Sequence, residues 1–299
     1  MSTPLQTRPG LLRRALARPS ARVAFALLSG VLLCSVLVPL GLSHAPQTTS
    51  PETFLAPGAN HFFGTDLNGR DLLARTLQGA RISLLVGFAG ALVSLIIGTT
   101  VGLVAGYAGG RTDTLLMRLV DVLYSIPRLI LIILASFVLD PVIQGWMGRF
   151  HNGAWVGYSK IAILILALGC IEWLTMARII RGQVLSLKTL PFVQAARALG
   201  QSHTQILLRH LLPNLSSVII VYLTLTIPAV MLDESFLSFL GLGVQPPQAS
   251  WGSLLSDGAQ TLNPVRIHWW LLIFPALAMS TTLLALNFLG DALRDALAE

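Results

Sequence analysis

Six long apolar stretches dominate this sequence, and they constrain its fold more than any other feature. A helix that crosses the hydrocarbon core of a bilayer, about 30 Å thick, needs about 20 apolar residues. Because backbone polar groups in lipid must be satisfied within the segment, each stretch is predicted to be a helix. The predicted fold class is therefore all-α, a polytopic membrane protein with six transmembrane helices. The stretches are 23–42, 82–110, 119–139, 161–177, 215–232 and 267–290.

The composition excludes several other classes of protein. Charged residues make up 11% of the chain, whereas an ordinary soluble domain carries about 25%. The two cysteines, Cys34 and Cys170, are too few for a disulfide framework or a cysteine-based zinc site. The net charge of +7 comes from arginines beside the apolar stretches. Anionic lipid favours such a placement, so membrane lipid, and not nucleic acid, is the predicted partner.

The basic residues predict how the chain is oriented. An even number of spans places both termini on one side, and thirteen of the twenty Lys and Arg residues fall on that side. Because basic loops stay in the cytoplasm, both termini of this multi-pass protein are predicted to be cytoplasmic. The first span has a basic start like that of a signal peptide, but its long preceding tail and the five later spans favour a retained anchor.

The spans divide the chain into a cytoplasmic basic tail, a first transmembrane helix, an extracytoplasmic segment, a five-helix domain and a cytoplasmic C-terminal tail. These five regions are 1–22, 23–43, 44–81, 82–290 and 291–299. Apolar residues at helical spacing over 71–80 predict an amphipathic helix that lies along the bilayer surface within the extracytoplasmic segment.

Sequence motifs for catalysis or nucleotide binding are missing. The phosphate-binding pattern G-x-x-x-x-G-K-[ST] does not occur, and neither does H-E-x-x-H or G-x-S-x-G. The run 66–71 resembles a calcium loop only faintly, because its glycine comes too early, and a plain turn is favoured. We therefore predict no catalytic residue, no metal site and no cofactor bound by this chain. Energy for uphill work would come from another protein.

Glycines recur at every fourth position of the second span, at Gly98, Gly102, Gly106 and Gly110. This spacing places them on one slowly drifting face of a helix. In lipid, such a ridge of small residues lets another helix approach closely. The four glycines are therefore predicted to pack against a neighbouring helix, and ordinary packing within the chain is favoured over a functional role.

The long loop over 178–213 contains signals for two further helices. Pro191 suits the first turn of a helix and Gly200 suits its left-handed stop. A second helix is predicted to begin at Ser202, with Gln205 completing a capping box. Two interpretations remain open: this unit docks into a groove of a soluble partner, or it is an elbow that connects two spans.

Apolar residues continue past the fifth span and are then interrupted by glycine and proline, over 233–266. This pattern predicts a re-entrant or surface-lying segment that either gates a path or caps the bundle. Asp233, Glu234, Phe236 and Trp251 are the candidate gate or path residues. The two carboxylates are expected to face the outside and to favour cationic groups.

Charged residues also occur within predicted spans, where they are costly and attract attention as functional candidates. Asp121 and Arg128 lie in the third stretch, and Glu172 lies in the fourth. Structural pairing is the favoured role, and Arg118, one helical turn away, is the predicted partner of Asp121.

The loop over 178–213 resembles the signature loop of ABC importer permeases, which reads Glu-Ala-Ala, three residues, Gly, nine residues and Ile-x-Leu-Pro. Gln194 and His210 depart from that pattern, standing where the family has Glu and Ile. Longer motifs at 64–87, 235–252 and 287–297 resemble the dipeptide/oligopeptide branch of these permeases. The stretch 141–158 does not match and is interpreted as an extra outer element.

The resemblance implies a type I ABC importer permease bundle in the bacterial plasma (inner) membrane, with four kinds of partner. They are a second, homologous permease, two ATP-binding subunits, an extracytoplasmic peptide-binding protein and membrane lipid. ATP and Mg would bind in the partner subunits. The residues implied to couple this chain to the ATPases are Gln194, Ala195, Ala196, Arg197, Gly200, Leu212 and Pro213.

Within the family, 169–178 and 233–236 are most similar to oligopeptide permeases. Dipeptide, glutathione, nickel-chelate and antimicrobial-peptide importers share the same motifs and remain alternatives. An intramembrane enzyme would need a nucleophile and a base together at mid-span, and a self-sufficient channel would need a filter motif. The sequence contains neither arrangement.

Overall fold

The computed structural model describes residues 17–41, 45–150, 156–262 and 266–298. These ranges are almost entirely helical and contain no β-strand, only an isolated bridge between Thr65 and Asp71. The helices are α1 (Pro19–Gly41), α2 (Leu72–Ala108), α3 (Gly110–Tyr124), α4 (Arg128–Phe150), α5 (Val156–Leu187), α6 (Pro191–Ala198), α7 (His203–Phe239), α8 (Trp251–Gln260) and α9 (Trp270–Ala298). Near its start, α7 contains a π-helical segment, Ile206–Leu211.

Six of these helices, α1, α2, α4, α5, α7 and α9, are long and apolar enough to cross a membrane. Within the described ranges, the all-α class and the predicted number of spans are therefore confirmed. The short helices α6 and α8 lie at opposite ends of α7, and below we refer to the α6 end and the α8 end of the bundle. The predicted outer element over 141–158 includes 151–155, which lie outside the described residues.

The third span lies further along the chain than predicted. Residues 110–124 form the separate amphipathic helix α3, and the crossing helix α4 begins only at Arg128. The break falls at Pro127, which has no N–H to donate and which disfavours helical geometry at the preceding residue. Asp121 therefore lies on α3 and pairs with Arg178 of α5 at 2.7 Å. The predicted pairing with Arg118 is wrong.

The separate surface helix expected over 71–80 is also wrong, because these residues form the first turns of α2. Asp71 caps the helix by accepting a hydrogen bond from the Ala74 backbone N–H at 2.8 Å. Arg75 is buried and pairs with Asp66 at 2.5 Å. Gly79 packs against Trp251 of α8. These contacts bury the first turns inside the protein, so they do not lie on a bilayer surface.

The centre of the bundle is the long parallel pair of α2 and α5, onto which α7 packs. The main hydrophobic core joins these helices to α8 through side chains such as Val86, Leu168, Met231 and Trp251. Helix α1 packs peripherally against α9 and α2. It is fastened by Arg81 of α2, which donates hydrogen bonds to the backbone carbonyls of Ser35 and Val36.

At the α8 end, the chain folds back into the bundle. Helix α7 ends at Phe239, and Gly241 turns the chain with a φ of 79°. The returning segment buries Val244, and Ser250 then caps α8 through a capping box with Ser253. This inward return has the form predicted for a re-entrant segment, and it brings α8 against the start of α2.

Candidate functional site

The loop between α5 and α7 is held in one conformation by local hydrogen bonds. Pro191 occupies the first turn of α6, and Gly200 ends the helix with a φ of 75°. The Gly200 N–H donates to the Arg197 carbonyl at 2.9 Å, and the Gln201 N–H donates to the Ala196 carbonyl at 3.1 Å. This pair of bonds is the Schellman motif, which favours glycine at the left-handed position. The predicted short helix and its glycine stop are confirmed.

The start of α7 follows directly from this turn. Ser202 accepts a hydrogen bond from the Gln205 N–H at 3.3 Å, and the Gln205 side chain accepts one from the Ser202 N–H at 3.1 Å. The predicted capping box is therefore present. His210 lies in the π-helical segment and contacts the Gln201 amide oxygen at 2.7 Å. Hydrogen bonds at the end of α6 and at the start of α7 therefore both hold the turn between these two helices.

Helix α6 has one buried face and one exposed face. Val193 and Ala196, three residues apart, are buried against Ile206, Leu211 and Leu215. Beside this buried face lies an exposed apolar ridge, which we call the α6 ridge, formed by Phe192, Ala195 and Leu199. These three positions are spaced i, i+3, i+7 and so share one side of the helix.

Leu199 is the most exposed large apolar residue of the described chain, at 81%. Single exposed apolar residues are common, but an apolar ridge on a helix anchored at the end of a bundle indicates a protein contact. The sequence motif pointed to α6 but not to Phe192 or Leu199. The signal that finds them is the i, i+3, i+7 spacing of apolar residues beside the buried face of α6.

The other residues implied to couple this chain to ATPases either hold α6 in place through polar contacts or begin the next helix. The Gln194 amide donates to the Thr189 carbonyl at 3.0 Å, a bond that the family's usual glutamate does not donate. The Arg197 guanidinium lies 5.0 Å from the ring centroid of Tyr107, at the end of α2. Leu212 and Pro213 begin the α-helical part of α7. Helix α6 therefore contacts both α2 and α7.

Three of the four predicted packing glycines lie at the contact between α2 and α5. A Cβ added at Gly98 would lie 2.6 Å from the Met176 Cβ, and one at Gly102 would lie 2.6 Å from the Ala177 carbonyl oxygen. At Gly106 it would meet the Val184 Cβ at 2.8 Å. No side chain larger than hydrogen fits there without movement. The contact therefore joins α5, which precedes α6, to α2, whose Tyr107 ring lies next to Arg197.

Gly110 does not belong to this contact. It has open space around its Cα and a φ of 54°, and it begins α3 after the turn at Gly109. Its position four residues after Gly106 places it past the end of α2, so helical periodicity no longer applies. The part of the packing prediction that concerns Gly110 is wrong.

Polar contacts close the α6 end of the α2–α5 pair. Arg181 of α5 holds Asp113 of α3 through two hydrogen bonds of 2.5 and 2.6 Å. This hydrogen bonding lowers the pKa of the Asp113 carboxyl below its ordinary value. The ion pair is therefore present above the unfolded-state pKa, and its stabilisation is lost only as the pH falls through the lowered pKa. Lys188 also donates to the Gly106 carbonyl at 2.7 Å.

At the α8 end, the structure corrects the expectation for Glu234. Its side chain is fully buried and accepts hydrogen bonds from Ser83 of α2 at 2.9 Å and from Ser238 at 2.7 Å. Adjacent residues on a helix point about 100° apart, and here Asp233 remains partly exposed while Glu234 does not. Glu234 faces the core and fastens the folded-back segment.

Trp251 is likewise a structural residue. It is fully buried, and its indole N–H donates to the Thr76 carbonyl of α2 at 3.1 Å. Of the four candidate gate residues, only Asp233 and Phe236 reach a surface. Phe236 is 45% exposed, and Asp233 is held by Arg128 of α4 in an ion pair.

Replacing Glu234 with alanine is expected to destabilise the α8 end by about 2 to 3 kcal/mol, because buried serine hydroxyls lose a charged or strongly polar acceptor. The measurement is the thermal unfolding midpoint of the detergent-solubilised protein, with Glu234→Gln as a control that retains hydrogen-bonding atoms. The alanine variant should unfold at a clearly lower temperature than the glutamine variant. An unchanged midpoint for Glu234→Ala would contradict the structural role.

Among the described residues, no group of three or more His, Cys, Asp or Glu side chains is placed to hold a metal ion. The carboxylate of Asp66, in the run that faintly resembles a calcium loop, is occupied by Arg70 and Arg75. The conspicuous ionic cluster joins Arg128, Glu172 and Asp233 from three different helices.

Comparison with known proteins identifies relatives of similar sequence and a solved structure of similar fold. The family model described as "Binding-protein-dependent transport system inner membrane component" matches residues 98–299. The chain is 48% identical over 237 residues to the oligopeptide transport system permease protein OppC of Haemophilus influenzae, covering 79% of this chain and 70% of the relative. It is 46% identical over 239 residues to OppC of Escherichia coli strain K12, covering 80% and 72%.

A third relative is the dipeptide transport system permease protein DppC of Bacillus subtilis, 42% identical over 280 residues, which cover 92% of this chain and 81% of that protein. Among solved structures, the inward-facing MetNI methionine ABC transporter contains a chain that matches with a TM-score of 0.56 and 19% identity. The match covers 75% of this chain and 97% of the other, and it shows a shared fold.

Proposed function

Since this chain belongs to the family of binding-protein-dependent transport system inner membrane components, we propose that it is a permease subunit of an ATP-driven importer of oligopeptides. A second, homologous permease completes the translocation path, and two ATP-binding subunits supply the energy. An extracytoplasmic binding protein delivers the peptide. The names of two of the three relatives above favour oligopeptides over dipeptides as the substrate.

The observation that carries the coupling role is the α6 ridge. It is apolar and exposed, and it lies on a helix fixed by the Schellman turn at Gly200 and by contacts with α2 and α7. A helix held in this way moves with the spans when a partner pushes on it. We therefore assign the α6 end to the cytoplasm, where ATP is available, and the α8 end to the outside. This assignment agrees with the excess of Lys and Arg in the loops at the α6 end.

In the proposed importer, ATP and its Mg ion would bind in the ATP-binding subunits and not in this chain. The chain has no phosphate-binding motif of its own, and its described residues contain no cluster suited to a metal ion. The energy of hydrolysis would reach the peptide path mechanically, through α6 and the close contact of α2 with α5. Gly98, Gly102 and Gly106 keep that contact tight.

A reconstitution experiment tests the proposal. The purified chain alone is expected to hydrolyse no ATP, whereas proteoliposomes with all four membrane subunits and the binding protein should take up tri- to pentapeptides in an ATP-dependent way. Omitting this chain, while keeping the second permease, is the matched control and should abolish uptake. ATP hydrolysis by the chain alone, or undiminished uptake without it, would contradict the proposal.

A further inference from the structure

Polar pairs line the seam along which α3 and the start of α4 pack against α5. On α5 these residues recur at every third position, so the row turns gradually around the helix and follows α3 obliquely across α5. We call this row the ionic seam. Its four rungs are Asp113–Arg181 at 2.5 Å, Asp121–Arg178 at 2.7 Å, Tyr124–Thr175 at 2.5 Å and Arg128–Glu172 at 2.5 Å.

The upper rungs of the ionic seam lie within the apolar part of α5. Glu172 is within one residue of the midpoint of the Tyr158–Leu187 span. From there to Arg181 the seam extends about 14 Å along α5 towards the α6 end, at 1.5 Å per residue. Its upper rungs therefore fall inside the apolar stretch predicted over 161–177, and its lower rungs fall past the end of that stretch.

The basic side chain of the top rung is exposed, which hydrocarbon does not tolerate. Arg128 is 45% exposed, although its partner Glu172 lies in the apolar part of α5. A charged residue placed there faces a water-filled cavity or another subunit and not hydrocarbon. The top rung is therefore on the side of this chain that faces an aqueous path or the second permease.

The top rung of the seam holds two acidic groups and one basic group, so it carries a net negative charge when both carboxyls are ionised. Arg128 contacts both Glu172 and Asp233, and it does so through the same terminal nitrogen. Two largely buried carboxylates thus share one guanidinium, and burying an uncompensated charge is costly. A further cation would offset this cost.

Space for such a cation lies directly beside the top rung. A cleft of about 330 Å³ opens at the break between α3 and α4, where Ser125, Pro127 and Arg128 line it together with Glu172 and Thr175. The break between α3 and α4 leaves Arg128, the first residue of α4, exposed. A chain of small polar and charged groups therefore leads from this cleft towards the α6 end.

We propose that the ionic seam lines the path of the transported peptide and that its top rung, Arg128 with Glu172 and Asp233, receives the peptide's α-ammonium group. The ammonium group would pair with the carboxylate charge that Arg128 leaves uncompensated. Lower down, the Asp121–Arg178 and Asp113–Arg181 rungs each hold one acidic and one basic side chain, which offer partners to both ends of a zwitterionic chain. This inference rests on the proposed function as a peptide importer, and it names the chemical feature of the peptide that the path recognises.

The rate of thiol modification tests both water access and the preferred charge. In the assembled importer with Cys34→Ala and Cys170→Ala, Ser125→Cys places one thiol beside the top rung. Its rates with a quaternary-ammonium and a sulfonate methanethiosulfonate reagent are each divided by the rate of that reagent with a free thiol in solution. We expect the cationic reagent to be favoured at least tenfold. We expect Glu172→Gln or Asp233→Asn to remove most of that preference.

Two controls accompany the measurement. Native Cys34, exposed on the uncharged part of α1 and retained alone in a Cys170→Ala background, should react with neither reagent. Asp113→Asn removes a carboxylate from the far end of the seam and should leave the preference unchanged. Co-purification with the other subunits shows that each variant is assembled, and either carboxylate variant alone suffices for the comparison.

The inference is overturned if Ser125→Cys is as unreactive as Cys34, if the two reagents react equally, or if the sulfonate reagent is favoured. It is also overturned if neither carboxylate variant changes the preference. These rates do not depend on transport, so they separate this inference from the proposed function. Failure of peptide uptake in wild-type proteoliposomes would contradict the proposed function, whatever the labelling rates.

Discussion

Replacing Leu199 with aspartate is expected to reduce peptide-stimulated ATP hydrolysis by the complete importer more than tenfold while leaving the subunit folded. Leu199 ends the α6 ridge and is 81% exposed, so the free subunit loses almost no packing when its side chain changes. In the complex, the same side chain would be buried against an ATP-binding subunit. A charge without a partner at such an interface costs about 2 kcal/mol or more, which corresponds to a loss of docking affinity of roughly 30-fold.

The measurement is ATP turnover with saturating peptide-loaded binding protein, and Leu199→Met is the control that keeps an apolar side chain of similar size. Ala195 and Ala196 provide a second pair of variants. Ala195 is exposed on the ridge, whereas Ala196 is buried against α7. Ala195→Arg should therefore uncouple a folded subunit, and Ala196→Arg should lower the yield of folded protein. Full turnover by Leu199→Asp in an assembled complex would contradict the docking role of the α6 ridge.

Replacing Gly102 with alanine is expected to destabilise the protein by about 1 to 3 kcal/mol, and leucine at the same position should prevent assembly altogether. The added Cβ would lie 2.6 Å from the Ala177 carbonyl oxygen and 2.8 Å from the Ile180 Cβ. Forcing extra methyl groups into a packed contact shifts backbones and rotamers at about this cost. The α2–α5 pair, which forms the centre of the bundle, would have to separate.

Gly182 of α5 supplies the matched control, because a Cβ added there meets nothing within 4 Å. The same Gly→Ala change should stabilise α5 at this site by up to about 1 kcal/mol, since alanine favours a helix interior. The two variants are compared by thermal unfolding in detergent. A Gly102→Ala variant that unfolds at or above the wild-type temperature would show that the helices are not in such close contact.

Local signals made the coupling region predictable from sequence. Pro191, Gly200 and the pair Ser202 and Gln205 each act on neighbouring backbone groups, so a few adjacent residues determine where α6 begins and ends. The glycine spacing on α2 also predicted the packing correctly as far as Gly106, because helical periodicity holds along the whole of a helix. It failed at Gly110 because periodicity carries no information once the helix has ended.

Features that depend on tertiary contacts were not predictable in the same way. The buried serine cluster around Glu234 requires α2, α7 and the folded-back segment to meet, and no local spacing encodes that meeting. Arg128 was visible as a charge in an apolar stretch, but its partners Glu172 and Asp233 come from two distant helices. Pro127 is a local signal for the break before α4, but a prediction from hydropathy alone does not detect that break.

The contact between α6 and an ATP-binding subunit is the central claim of this account, and cysteine cross-linking tests it most directly. With both native cysteines replaced by alanine, Leu199→Cys in the assembled importer is predicted to cross-link to a single cysteine in the ATP-binding subunit. Cross-linking should stop peptide uptake, and reduction should restore it. Native Cys34 on α1, retained as the only cysteine, should not cross-link. An importer that takes up peptide at the wild-type rate while no cysteine on the α6 ridge cross-links to any ATP-binding subunit would contradict the claim.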